Sequence, residues 1–154
     1  ALVTSINVPE EKIANIKDIS LLETWKLQTV FDYAGKLSME EQEKISNYVH
    51  NEVLEYLHFF ELIEVSSSIV GCVLVRPYQD GYLLDEIYLE KEYRNLGIGS
   101  SILKNKTMQF SPLYLWVYKD NQKAISLYKR IGFLVKEETA TRYFMEFVTS
   151  CNNQ

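Results

Sequence analysis

The chain has 154 residues, 47% hydrophobic and 24% charged, a globular composition of one domain's size that excludes intrinsically disordered and fibrous classes. Its formal net charge of −5 argues against a general nucleic-acid binder, which needs a basic surface. The 2 Cys, Cys72 and Cys151, are far apart, and only 2 His are present, so neither a disulfide framework nor an all-protein transition-metal site is expected. No apolar run is long enough to cross a bilayer, no signal peptide is expected, and a reducing, cytoplasmic setting is the default.

In chain order, Leu2 to Val8 reads as a short strand. Pro9-Glu10-Glu11 reads as a helix start, because Pro is tolerated in a first turn and acids suit the N-terminal dipole. That helix is expected to reach Tyr33 and stop at Gly35. Ser38 opens a second helix, with Glu41 three residues on to complete a capping box. Ile45, Val49, Val53, Tyr56, Leu57 and Phe60 then recur at helical spacing as one apolar stripe. Leu62 to Val65, Ile69 to Val75 and Tyr82 to Glu90 read as three strands. The turn clusters Ser66 to Ser68 and Pro77 to Gly81 between them predict an antiparallel meander. A Gly-containing loop leads from Tyr93 into a helix ending near Gln109, which Ser111-Pro112 closes off. Leu113 to Tyr118 reads as a strand, Asn121 to Ile131 as a helix stopped by Gly132, and Phe133 to Lys136 and Thr141 to Val148 as two closing strands. The result is a mixed α/β or α+β domain built on one sheet.

The strand-loop-helix unit from Leu84 to Leu103 carries the chemistry. The first amides of a helix have no internal partner and sit at its positive end, so they suit an anion. Gly97 and Gly99 lack a Cβ and let a diphosphate approach the main chain, while Ser100, Ser101 and Arg94 add donors and a cation. The unit is not a P-loop, because Gly-Lys-Ser/Thr is missing, nor the dinucleotide fingerprint, whose third Gly is absent. Alone it is also compatible with an ordinary tight turn.

Two linked motifs resolve that ambiguity. Arg94-Asn95-Leu96-Gly97-Ile98-Gly99 resembles the Arg/Gln-x-x-Gly-x-Gly/Ala signature of the GCN5-related N-acetyltransferases, the GNAT family. Leu115-Trp116-Val117, Asn121-x-x-Ala124-Ile125-x-Leu127-Tyr128 and Ile131-Gly132-Phe133 together resemble that family's second cofactor motif. The resemblance covers roughly residues 82–135. It implies a single acetyl-CoA-binding domain over residues 1–154, with a central, mostly antiparallel twisted sheet, a splayed parallel strand pair and flanking helices. It further implies that acetyl-coenzyme A lies between Tyr82–Glu90 and Leu113–Tyr118. Main-chain groups of Ile87, Tyr88 and Leu89 would pair with pantetheine, as an added strand does. Arg94 would begin the loop, and the amides of Asn95, Leu96, Gly97, Ile98, Gly99 and Ser100 would hold the pyrophosphate. Asn121 would pack near the pantetheine arm, Ala124 would leave room for it, and Lys129 or Arg130 would either approach the ribose phosphate or lie on a solvated face.

Tyr128 matches the position of the family's general acid, which hands a proton to the departing thiolate; the competing reading is a core residue beside Ile125 and Ile131. The acceptor amine must be neutral to attack, so a base or a water chain is needed, and Asp85 and Glu86 are the candidates. Glu86 is preferred, against the alternative of a carboxylate paired with a cation. Cys72, in an apolar strand, reads as a buried small residue, so direct attack of the amine in a ternary complex is expected rather than an acyl-enzyme. The thioester carbonyl would be polarised by a main-chain N–H, with Leu89 preferred. His50 and His58 read as surface or packing residues. Acceptor recognition falls to Trp25, Phe31, Asp32, Tyr33 and Tyr143, for each aromatic against an ordinary packing role. The expected activity is N-acetylation of a primary amine, cationic, on a small molecule or peptide, with no nucleic-acid or membrane partner and a homodimer left open. A CoA-binding sensor or assembly module without turnover is the alternative.

Overall fold

The computed structural model describes residues 9–149. The expected strand at Leu2 to Val8 and the residue Cys151 lie outside that range. The first described element is a strand, β1 (Glu10–Ile13), where a helix start was expected. It adds to the sheet edge antiparallel to β2 (Phe60–Val65), with Glu10 opposite Glu64 and Ile13 opposite Glu61. Tertiary pairing overrides local preference in so short a segment. Two acids that suit a helix N-terminus lie instead on a strand, where Glu11 is 2.6 Å from Lys106; beside it, Lys12 Nζ lies 2.8 Å from Glu64.

The helix begins later. Asn15 accepts from the Lys17 N–H at 2.9 Å, and its own N–H donates to Asp18 at 2.9 Å, a capping box that starts a short 3-10 turn leading into α1 (Ile19–Ala34). Gly35, at φ +71°, closes α1. The expected Ser38 capping box is present: Ser38 N–H donates to Glu41 at 3.0 Å and Glu41 N–H to Ser38 Oγ at 3.1 Å. It opens α2 (Met39–Tyr56), whose stripe buries Val49 and Val53. Caps of this kind contribute about 1 kcal/mol each.

The meander follows as β2, β3 (Ser68–Tyr78) and β4 (Gly81–Leu89). Its first turn places Ser66 and Ser67 at φ 50° and 70°, the left-handed pair that a two-residue hairpin turn requires. The remaining elements are α3 (Ile98–Gln109), β5 (Leu113–Tyr118), α4 (Gln122–Ile131), β6 (Leu134–Glu138) and β7 (Arg142–Phe147). They complete a seven-stranded sheet in the order β1-β2-β3-β4-β5-β7-β6.

Helices cover both faces. One face packs Val73, Val75, Leu84, Leu113, Leu115 and Met145 against Ile98, Ile102 and Leu103 of α3 and Ile125 of α4. The other packs Phe60, Leu62, Cys72 and Leu74 against Leu22 and Trp25 of α1 and Val49 and Val53 of α2. Across β5 and β7 the second face carries an aromatic cluster, with Tyr114 stacked on Phe144 at 5.1 Å and Trp116 4.6 Å from Phe144.

One joint in this sheet differs from the others. Every neighbouring pair is antiparallel except β4 and β5, which run parallel and are paired only at Tyr82–Leu113 and Leu83–Tyr114. Beyond Leu83 the two strands part, leaving an open seam in the middle of the sheet.

Candidate active site

The seam opens into two adjoining cavities that share Ile87, Leu89, Arg94, Asn121 and Tyr128. One, of about 720 Å³, runs over the N-termini of α3 and α4; its charged lining residues are Arg94, Lys123 and Arg130. The other, of about 570 Å³, runs under the end of α1; its charged lining residues are Asp32, Asp85, Glu86 and Asp120, with Arg94 at the junction. The passage is basic at one end and acidic at the other.

The basic end is built around the start of α3. Gly97, at φ +85°, is the residue before the helix, in a left-handed conformation that favours glycine. A Cβ there would meet nothing within 4 Å. No acid stands in the first turn of α3, so its positive end is unneutralised. Ile98 drives its side chain into the core at 3% exposure, anchoring the helix under the open amides. Asn95, Gly97, Gly99 and Ser100 line the cavity; Leu96, 59% exposed, and the buried Ile98 do not. Arg94 Nε donates to the Leu89 carbonyl at 2.7 Å, and its guanidinium lies 5.3 Å from the Tyr88 ring. That bond ties the loop to the end of β4. Asn121 is the cap of α4 rather than its first residue, because its side chain accepts from the Ala124 N–H at 3.2 Å. Arg130 lines this cavity and Lys129 does not.

Along β4, alternation sorts the main chain. Glu90 N–H donates to Val70 at 2.8 Å, so the even residues turn toward β3. Tyr88 follows the same parity: a Cβ on Gly71 of β3 would lie 2.0 Å from its carbonyl oxygen. Ile87 and Leu89 therefore turn their N–H and C=O toward the seam. The expectation that Tyr88 also offers its main chain there is corrected: its backbone pairs with β3, while its side chain lines the seam, its ring stacked on Trp25 at 5.4 Å.

The acidic end rests on a bulge. Val75 pairs with Leu84 and Leu74 with Glu86, so Asp85 is an extra residue in β4. The bulge turns two consecutive acids toward the α1–α2 side, where strict alternation would separate them. Asp85 accepts from Arg76 Nε at 2.8 Å, and that guanidinium stacks 4.4 Å from the Tyr56 ring of α2. Glu86 lies 3.4 Å from Lys26 Nζ of α1, and the same ammonium lies 2.8 Å from Glu52 of α2. Burial raises the Glu86 carboxyl above the usual carboxylate range, and Lys26 opposes it. Burial works against the Lys26 ammonium, but Glu86 and Glu52 outweigh it and hold its pKa above the usual lysine value.

Tyr128 of α4 lies where the two cavities meet, half-buried, its ring 5.8 Å from Phe133. Among the residues expected to recognise an acceptor, Asp32 lines the acidic cavity. Trp25 is core at 4% exposure, Phe31 is 37% exposed, and Tyr143 packs on the α3–α4 side; the Tyr33 side chain lies outside the described set. Cys72 is buried and unpaired, its thiol pushed well up by burial. His50, against Glu23, and His58 are on the surface. Sequence reasoning missed Trp116, Tyr118, Asp120 and Thr29 as cavity residues, and the lysine beneath Glu86. For Trp116 and Tyr118 the signal existed: they belong to Leu113–Tyr118, the strand that the family resemblance made one wall of the cleft.

Comparison with known proteins decides the family. The sequence profile of the acetyltransferase (GNAT) family matches residues 21–133. The chain belongs to that family. It is 35% identical over 60 residues to an uncharacterised N-acetyltransferase of Methanocaldococcus jannaschii, a match spanning 35% of this chain and 26% of that relative's length. Among solved structures, the PaiA N-acetyltransferase of Thermoplasma acidophilum in complex with coenzyme A superposes with a TM-score of 0.73 at 22% identity, over 92% of this chain and 99% of that one. An N-acetyltransferase from Staphylococcus aureus gives 0.71 at 14% identity over 90% and 100% of the two chains. An acetyltransferase from Thermus thermophilus gives 0.71 at 18% over 94% and 99%. These structures share the sheet with the parallel pair and its flanking helices. The family is one of acyltransferases, and its acyl donor is acetyl-coenzyme A. The residues present fit that donor: an α3 N-terminus with no acid in its first turn for the diphosphate, Arg94, Lys123 and Arg130 around it, and the main chain of Ile87 and Leu89 along the seam.

Proposed function

We propose that the chain, as a single domain, transfers the acetyl group of acetyl-coenzyme A to a primary amine, cationic in its free form, on a small molecule or peptide. The observation that carries this reading is the opposed charge of the two adjoining cavities, cationic where phosphates would lie and acidic where an ammonium would enter.

When bound, acetyl-coenzyme A supplies an activated acetyl thioester. The amides at the start of α3 and the nearby cations hold the phosphates. The Ile87 and Leu89 main chains take the pantetheine amides as an added strand would, and the Leu89 N–H is the preferred donor to the thioester oxygen. Glu86 accepts the proton of the incoming ammonium, whose ordinary pKa of about 10.4 keeps it from attacking at neutral pH. The Tyr128 hydroxyl donates to the sulfur as the carbon–sulfur bond breaks. With Cys72 buried away from the seam, the amine attacks directly.

The test is thiol release from acetyl-coenzyme A with a panel of lysine, 1,4-diaminobutane, 2-phenylethylamine and a peptide with a free N-terminus, alongside calorimetric binding of coenzyme A. Transfer to at least one amine, reduced in Y128F with coenzyme A affinity intact, is expected. Binding of coenzyme A with transfer to none of them, and a background rate unchanged in Y128F, would replace this reading with that of a non-catalytic CoA-binding module.

A further inference from the structure

Lys26 does not contact the seam, yet it is tied to the one carboxylate there that burial has made more basic. It is 9% exposed, and it joins three elements: its own helix α1, Glu52 on α2 and Glu86 at the β4 bulge. The ammonium is shared unequally, at 2.8 Å from Glu52 and 3.4 Å from Glu86. Tyr48 also donates to Glu52 from the same helix, so Glu52 is doubly held, while among the described residues Glu86 has one long contact, with Lys26.

That inequality has a chemical consequence. A buried carboxylate with no cation nearby takes up a proton and stops being a base. One gripped closely by a lysine loses basicity through the pairing. At 3.4 Å, with the closer contact made to Glu52, Lys26 favours the ionised form of Glu86 against burial, while Glu86 still lines the cavity. We propose that Lys26 is a positioning residue of the transfer reaction: by dividing its charge between Glu52 and Glu86, it holds Glu86 as the ionised base that takes the amine's proton. This rests on the reading of Glu86 as base.

The other groups around Glu86 are accounted for. Asp85 on the same strand is neutralised by Arg76 of β3. Cys72 of β3 is a neutral buried thiol. Glu52, with Tyr48, faces it from α2, Lys26 from α1, and Tyr128 lies across the shared cavity on α4. Two changes should therefore move the Glu86 titration in opposite directions. Lys26→Met removes its cation and leaves burial and the Glu52 charge unopposed. Glu52→Gln removes a repelling charge and releases Lys26 toward Glu86.

The measurement is a 13C NMR titration of protein labelled at the glutamate carboxyl carbon, with the Glu86 signal assigned by its absence in E86Q. The midpoint should rise by about 1–3 pH units in K26M and fall by about 1 in E52Q, while K26R stays near wild type. The acidic limb of the rate profile, with the fastest amine of the panel above, should move the same way in each variant. Midpoints unmoved in E52Q and in folded K26M overturn the proposal, and E52Q alone decides if K26M does not fold. Opposite shifts combined with a wild-type rate in E86Q would instead refute Glu86 as base, and with it any part for Lys26 in transfer.

Discussion

Replacing Gly97 by glutamate separates the two ends of the seam most sharply. Gly97 has φ +85° and ψ 0°, with empty space where a side chain would stand. Folding therefore meets no clash, only the cost of a left-handed non-glycine residue, about 1–2 kcal/mol. For a domain of this size that lowers the melting temperature by about 2–8 °C. The new carboxylate projects into the space over the α3 amides. At about 5 Å from a phosphate and an effective dielectric of about 20, repulsion amounts to about 3 kcal/mol, an affinity loss of about 100-fold. Calorimetry with coenzyme A reads that loss, and circular dichroism with thermal melting reads the fold. Gly97→Asn is the control, since asparagine tolerates the left-handed region without adding charge; it should stay within several-fold of wild type. Wild-type affinity in a folded G97E protein would refute the assignment of the α3 N-terminus to the phosphates.

Three further outcomes follow from other parts of the structure. Tyr128→Phe should lower kcat by about 10²- to 10⁴-fold with unchanged coenzyme A affinity, read by thiol release and calorimetry; an unchanged kcat would return Tyr128 to a packing role beside Phe133. Gly71→Ala places a Cβ 2.0 Å from the Tyr88 carbonyl oxygen, backbone that cannot swing aside, so β3 and β4 must part; a loss of about 3 kcal/mol or more is expected from urea unfolding, and a loss under about 1 would be contrary. Asp80 accepts from the Tyr114 hydroxyl at 2.5 Å, which lowers the Asp80 carboxyl and pushes the phenol up to about 12. A carboxyl lowered in the folded state stabilises it above the unfolded pKa, near 4, and that contribution is lost as pH falls through the lowered value. Tyr114→Phe should therefore melt with a smaller drop between pH 7 and pH 3 than wild type does; an equal drop would refute the link.

What could be read from the sequence was local and periodic. β5 was legible at Leu113–Tyr118 because an unbroken apolar run lies between Pro112 and the polar residues from Lys119, and α2 because Ser38 and Glu41 announce its start. The loop before α3 was legible for the same reason: Arg94 to Ser100 is contiguous in the chain. The acidic end was not. Lys26, Glu52 and Glu86 come from three elements, and their meeting depends on a bulge at Asp85 that no spacing reveals. β1 failed for a related reason. Glu10-Glu11 favours a helix start in isolation, but pairing with β2 and the reach of Glu11 to Lys106, buried on α3, decide otherwise. Tyr88 shows the limit of a motif read residue by residue: being on the right strand does not place its backbone on the right side of it.

The net charge of −5 looks at first like an obstacle to holding a polyanion. The distribution of that charge removes the difficulty. On the proposed reading, coenzyme A's phosphates would meet helix-terminal amides and three side-chain cations within one cavity, an arrangement that needs no global positive charge. The acid excess is also not uniform at the other end. Asp85 and Glu86 are bound by Arg76 and Lys26, whereas Asp32 and Asp120 line the same cavity nearer its solvent side, Asp32 held by a 3.0 Å bond from Gln28. On the proposed reading, attraction of a cationic acceptor would fall to the outer acids and its deprotonation to the inner one. The two roles are separable: exposed charges are screened over a Debye length of about 8–10 Å, while buried pairs are screened far less. Raising ionic strength should then increase KM for the amine and leave kcat nearly constant, and a parallel fall in kcat would mean that the outer and inner carboxylates do not divide the work.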